Sequence, residues 1–370
     1  MKKFLKLLIV IIALICLVYK LDILGFFVLN ASDEQLARYN GYYFNKLDLE
    51  EKNMYVKIDE AVKQGDKKVF LGFHKDIDIK EKLSKIIQAY FYDNPECYYI
   101  SNKYGISTAD LKFSEYSILE LEYLTASDAE IEIKDQELEN AIDKLLERCI
   151  TDDMSDFEKE LAIHDALAEN VEYYKYEDIN EIPCIKHTAY GALVEKQAVC
   201  DGYSKAFKIL LDRVGIENII IHGSTENVAH AWNLVKLDDD YYHVDVTSDK
   251  VEEKGKKYVV HTYFNINDEQ LSKTHKITNE VIYPKSIALK YDYFNQTGYQ
   301  IQMGDILYSK LNEIVSKQQN TSILEFKVDN QFSSRRIIDT LYDMNFNNWK
   351  YSGKTSVEYN QMQEVYVIIK

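Results

Sequence analysis

Ala198-Val199-Cys200-Asp201-Gly202-Tyr203-Ser204-Lys205-Ala206-Phe207 is the stretch whose reading decides the fold of this 370-residue chain. Tyr203, Ala206, Phe207, Leu210, Leu211 and Val214 recur at the i, i+3, i+4, i+7 spacing of one apolar helix face, and Gly215 supplies the stop. Cys200 therefore falls in the first helical turn, where unpaired N–H groups favour a thiolate and are placed to stabilise an oxyanion. Taken alone, a cysteine in such a pattern is more often a small core residue. Its neighbours in sequence change that weighting.

Downstream, Asn218–Gly223, Ala229–Leu237 and Tyr241–Thr247 read as strands. A hairpin with the loop Leu237–Asp240 sets Val235 against Tyr242, Asn233 against Val244 and Ala231 against Val246, which makes a mainly apolar face. The other face carries His230, Trp232, His243, Asp245 and Thr247. His230 then faces Thr247 and lies diagonal to Asp245, about 7–8 Å away between backbones, a gap that two side chains bridge. A slip of one residue would put His230 and Asp245 on opposite faces, so the apolar pattern itself supports this pairing.

The motif at 198–207, His230-Ala231-Trp232-Asn233 and Tyr242-His243-Val244-Asp245-Val246-Thr247 together resemble the bacterial transglutaminase-like superfamily in order and surroundings. The resemblance covers about Glu158–His275, with His164-Asp165 upstream and Tyr263-Phe264-Asn265 downstream. It implies an α+β fold with a papain-like core, the thiol on a helix and the histidine and aspartate on neighbouring strands. It also implies a Cys200, His230, Asp245 triad acting on amide bonds of proteins or cell-wall peptides, by acyl transfer or hydrolysis. His230 would take the Cys200 proton, Asp245 would orient His230 and stabilise its cation, and Trp232 would wall the site. Ala198 stands where the family usually has glycine, and Ser248 where it has an aromatic residue. Both positions bear on cleft shape and backbone donors, and neither removes a triad member. The alternative is a non-catalytic envelope protein that uses the same fold to bind wall polymer or a protein partner.

His243 shares a face with Asp245 and is the nearest rival to His230, while Asp249 is the next acidic candidate. A zinc site made of Cys200, His230, His243 and Asp245 lacks a recognised ligand spacing, so no metal or other cofactor is expected. His74, His164, His187, His222, His261 and His275 read as structural or exposed, with His164 the one placed to line a cleft. Asp238-Asp239-Asp240 lacks the glycine and closing glutamate of a calcium loop and reads as a solvated turn.

The chain starts Met1-Lys2-Lys3-Phe4-Leu5-Lys6, followed by apolar runs at Leu7–Tyr19 and Ile23–Leu29. That pattern predicts an uncleaved signal anchor over residues 1–30, a transmembrane helix with its lysines inside and the bulk of the chain extracytoplasmic; cleavage would give a secreted form. The net charge of −17, with a lysine-rich start, leaves the rest of the chain strongly acidic and argues against nucleic-acid binding. Five cysteines do not make a disulfide scaffold at this length; with Cys16 in the apolar segment and Cys200 free, at most one pair forms among Cys97, Cys149 and Cys184.

The remaining pattern divides the chain into an α+β module at 31–150, the transglutaminase-like domain at 151–285 and a small βαβ-type appendage at 286–370. The 30 tyrosines are mostly explained by half-buried strand positions, with a sugar- or peptide-binding surface as the other reading.

Overall fold

The structure is a computed structural model that describes residues 31–74, 79–111, 114–125, 127–278, 281–319, 321–329, 332–344, 356–360 and 364–369. Its contacts divide into two units, one ending at Ile133 and one beginning at Lys134. The expected signal anchor at 1–30 lies outside the described residues. Among the described residues no helix is long and apolar enough to cross a membrane, which corrects the expectation of a transmembrane helix. The physical reason is patterning. The longest described helix, Asp128–Cys149, carries charged residues on every turn, whereas a span needs about 20 mostly apolar ones.

The first unit holds α1 (Leu49–Gln64), β1 (Lys68–His74), α2 (Ile79–Asp93), β2 (Ile100–Leu111) and β3 (Ser114–Tyr123). Asp48 and Glu51 form a capping box that starts α1, and Gly65 ends it in the left-handed region at φ 71°. The three strands form an antiparallel sheet in the order β1-β3-β2. Leu83, Ile86, Tyr98 and Leu119 are fully buried. Tyr43, Tyr55 and Tyr90 are buried as well, so this group of tyrosines builds core rather than a binding surface.

The second unit begins within α3 (Asp128–Cys149), which is followed by α4 (Asp156–Asn170), opened by the Ser155–Glu158 capping box, and by α5 (Cys200–Arg213). A five-stranded antiparallel sheet follows, made of β4 (Asn218–Thr225), β5 (Val228–Leu237), β6 (Asp240–Val244), β7 (Phe264–Ile266) and β8 (His275–Ile277) in the order β7-β6-β5-β4-β8. Helix α5 lies against β4 and β5. Its residues Tyr203, Ala206, Phe207, Leu210 and Leu211 are buried, each large side chain contributing roughly 1.5–3 kcal/mol relative to exposure. The expected hairpin register is present, with Val235 opposite Tyr242 and Asn233 opposite Val244. Asn233 Nδ2 donates to the Ser204 carbonyl of α5 at 3.1 Å, which fixes the Ala231-Asn233-Val235 face as the one toward the helix.

The C-terminal part packs a further sheet of β9 (Gln300–Ile301), β10 (Ile323–Val328), β11 (Ser356–Asn360) and β12 (Val365–Ile369) in the order β9-β10-β12-β11. Its parallel crossover runs from β9 through α6 (Leu307–Lys317) to β10. Strands β10 and β12 run antiparallel. Leu311, Ile314, Leu324, Phe326 and Tyr366 form its core with Ile337 from α7 (Ser334–Asp343).

Candidate active site

Val199 caps α5 with extended backbone and no side-chain hydrogen bond, so the helix opens at Cys200 with first-turn N–H groups that no capping side chain occupies. The preceding segment crosses close to this turn: Val199 N–H donates to the Lys186 carbonyl at 3.0 Å. Gly202 is what permits the approach. A Cβ there would lie 2.7 Å from the Lys186 carbonyl oxygen, 2.8 Å from the Ala198 Cβ and 2.9 Å from the Thr188 carbonyl oxygen. Cys200 itself is partly exposed, as a nucleophile must be.

His230, on β5, interacts with Cys200 on one side. On the other, its Nε2 lies 2.8 Å from Asp245 Oδ2, which leaves Nδ1 for the thiol. Strand β6 ends at Val244, and Asp245 leaves the ladder with its N–H donating to the Tyr263 carbonyl at 3.2 Å. The diagonal relation read from the hairpin survives this departure because the side chains still meet. Asp245 is 1% exposed and saturated with donors. Its Oδ1 accepts from the Thr247 and Ser248 N–H groups at 3.1 and 3.3 Å. Its Oδ2 takes Ser248 Oγ at 2.5 Å and His275 Nε2 at 3.2 Å besides His230. Ser248, where the family usually has an aromatic residue, is thus a hydrogen-bond donor to the carboxylate.

Burial alone would push His230 toward its neutral form. The charge and hydrogen bond of Asp245, with the influence of Cys200, outweigh it and raise the imidazole to about 10. Burial likewise works against ionising Asp245, but His230 and His275 hold it well below the usual carboxylate range. Asp245 therefore favours the imidazolium form that His230 reaches once it has accepted a proton.

Trp232 stacks on the His230 ring with centroids 6.0 Å apart and planes at 25°. Its indole N–H donates to His243 Nδ1 at 3.1 Å, and His243 Nε2 meets Asp268 Oδ1 at 3.0 Å. Indole is only a donor, so His243 Nδ1 is the unprotonated nitrogen and Nε2–H donates to Asp268. Burial also lowers the His243 pKa, consistent with a neutral ring. His243 is thus turned away from the thiol and holds Trp232 in place. It is not a rival base, and the set Cys200, His230, His243 and Asp245 does not converge on one point.

Two residues of this site escaped sequence reading. His275, on β8, is 4% exposed, touches Asp245 through Nε2 and Thr274 Oγ1 through Nδ1 at 2.8 Å, and packs edge-on against Trp232. Its signal was weak because β8 lies at the far edge of the sheet, beside β4 rather than the hairpin. Tyr173 lies beside Cys200, its phenol kept protonated by burial and by its neighbours Cys200 and Tyr176. Asp249 points elsewhere: it accepts the Tyr263 N–H at 2.8 Å and meets His164 Nε2 at 3.2 Å. Cys149 and Cys200 are free cysteines.

Residues 143–246 match the family profile of the Transglutaminase-like superfamily, a span that contains Cys200, His230 and Asp245. The resemblance read from the three motifs is borne out over that span. No curated protein matches the chain. Among solved structures, a TGase aligns at 13% identity over 50% of this chain and 53% of its own, with a TM-score of 0.29. A candidate cysteine protease from Cytophaga hutchinsonii aligns at 11% identity over 51% of this chain and 80% of its own, with a TM-score of 0.25. A candidate protease from Parabacteroides distasonis aligns at 11% over 45% and 43%, with a TM-score of 0.22. The chain spans about half the length of the first of these. The second unit is thus of mixed α+β class with a transglutaminase-like core.

Proposed function

We propose that this protein is a cysteine acyl-transfer enzyme acting on amide bonds of proteins or peptides, cell-wall peptides among them, with Cys200 as nucleophile, His230 as base and Asp245 as the group that orients and charges His230. The observation that carries this reading is His230 bound to buried Asp245 at 2.8 Å and interacting with Cys200, the first residue of α5.

In this reaction His230 takes the thiol proton as Cys200 Sγ bonds to the amide carbon. The resulting oxyanion lies near the uncapped first-turn N–H groups of α5. As the C–N bond breaks, His230 returns the proton to the leaving amine and a thioester remains. An amine that then attacks gives a new amide and water gives a carboxylic acid, the thiol being restored in either case. Trp232, stacked on His230, narrows the access of water to that ring.

The test is labelling of Cys200 by a peptide carrying an amide-mimicking electrophile, quantified on the Cys200 peptide because Cys149 is free as well. Labelling of wild type should exceed that of His230→Ala by on the order of 10²-fold or more. Equal rates in the two folded proteins would refute the assignment. Incubating wild type and peptide substrate with a tagged amine then separates transfer from hydrolysis.

A further inference from the structure

Helix α4, the connection from Asp249 to His261 and strand β10 bring two histidines and three carboxylates together, apart from the thiol and its partners. His164 and Asp249 are 0% exposed, and Glu325 is equally inaccessible at 2%. All four ring nitrogens of His164 and His261 face carboxylate oxygens. Two face inward: His164 Nδ1 and His261 Nε2 each lie 2.9 Å from Asp165 Oδ1. Two face outward: His164 Nε2 lies 3.2 Å from Asp249 Oδ2, and His261 Nδ1 2.6 Å from Glu325 Oε1. The Tyr263 N–H on Asp249 and the His261 N–H on Glu325 hold these outer carboxylates in place.

We propose that His164 Nδ1, His261 Nε2 and Asp165 Oδ1 form a binding site for one divalent zinc-class metal ion, with Asp249 and Glu325 as the outer carboxylates that orient the two histidines. A neutral imidazole has one N–H. With that N–H donated outward, its other nitrogen presents a lone pair inward, which is how metal-binding histidines are held. The three inward atoms lie within 4.8 Å of one another. Tetrahedral zinc with bonds of ~2.0–2.1 Å places its ligand atoms roughly 3.3 Å apart, so each 2.9 Å gap from a ring nitrogen to Asp165 Oδ1 opens by a few tenths of an ångström on binding.

Charge points the same way. Three carboxylates outnumber the two histidines, so even with both rings protonated the cluster keeps a net negative charge, which a divalent cation offsets as it displaces the two inward protons. A cavity of about 530 Å³ is lined by Asp165, His261 and Glu325, giving a fourth ligand an approach. The two lysines on its wall are turned elsewhere, Lys257 to Glu172 and Lys250 to the Val171 carbonyl and Tyr203.

The test uses full-length protein carrying Cys200→Ala, stripped with a chelator and titrated with Zn²⁺ by calorimetry, and with Co²⁺ followed by absorption. One ion should bind per chain, with no cobalt-thiolate charge-transfer band that would point to Cys97, Cys149 or Cys184. Asp165→Asn should weaken binding by at least ~10²-fold, and Glu325→Gln, which touches no metal, by ~10–100-fold. His275→Gln should leave it unchanged. No stoichiometric binding, binding undiminished in both carboxylate variants, or binding lost in His275→Gln would each overturn the proposal. Circular dichroism checks folding, and if Asp165→Asn does not fold, the parent stoichiometry and Glu325→Gln decide.

Discussion

Replacing Asp245 with asparagine tests the site most directly, because the carboxylate serves two sets of donors. Thr247 and Ser248 N–H groups occupy Oδ1, while His230, His275 and Ser248 Oγ converge on Oδ2. An asparagine that keeps its oxygen toward the two backbone N–H groups turns an NH₂ toward His230. His230 Nε2 must then accept, its proton moves to Nδ1, and the nitrogen facing Cys200 no longer takes the thiol proton. The flipped amide instead sets NH₂ against two backbone donors, at about 1–3 kcal/mol for the buried groups left unsatisfied.

The rate effect follows from the charge. Raising His230 from 6.5 to about 10 corresponds to on the order of 5 kcal/mol of imidazolium stabilisation. Cys200 supplies part of it, and assigning about half to Asp245 gives ~2–3 kcal/mol, or on the order of 10²-fold in Cys200 reactivity. Asp245→Asn should remain folded, melt several degrees lower, and react with the electrophile about 10²-fold more slowly at neutral pH. A folded Asp245→Asn that labels within about threefold of wild type, while Cys200→Ala is inert, would show that Asp245 does not govern His230.

Two further outcomes follow from the same geometry. Gly202→Ala drives a methyl to 2.7 Å from the Lys186 carbonyl oxygen, so it should cost about 1–3 kcal/mol and slow Cys200 labelling through displacement of the first turn; unchanged melting and labelling would contradict the close approach. The His230–Asp245 pair also links stability to pH: His230, raised on folding, contributes fully below 6.5 and loses its contribution as pH rises through about 10, whereas Asp245, depressed on folding, contributes above 3.8 and loses its contribution as pH falls toward its folded value. The melting difference between wild type and Asp245→Asn should accordingly be largest between pH 3.8 and 6.5 and shrink toward pH 10, and a difference that widens steadily across that upper range would refute the ion pair.

The sequence by itself determined the local chemistry. Helical spacing placed Cys200 at the start of α5, and strand alternation set the β5–β6 register, because each depends on neighbours only a few residues apart. Alternation also put His230 and Asp245 on one face, although Asp245 lies just past the end of its strand. Tertiary structure alone decided what converges across the sheet and between segments. His275 reaches Asp245 only because β8 pairs with β4, 30 residues on in sequence from Asp245. His243 and His230 are equivalent by alternation, and only the Trp232 and Asp268 contacts remove His243 from the thiol. His164, Asp165, His261 and Glu325 looked like scattered polar residues, since no periodicity links a helix, a loop and a later strand. Buried groups must find partners wherever the chain brings them, and long-range packing fixes that meeting place.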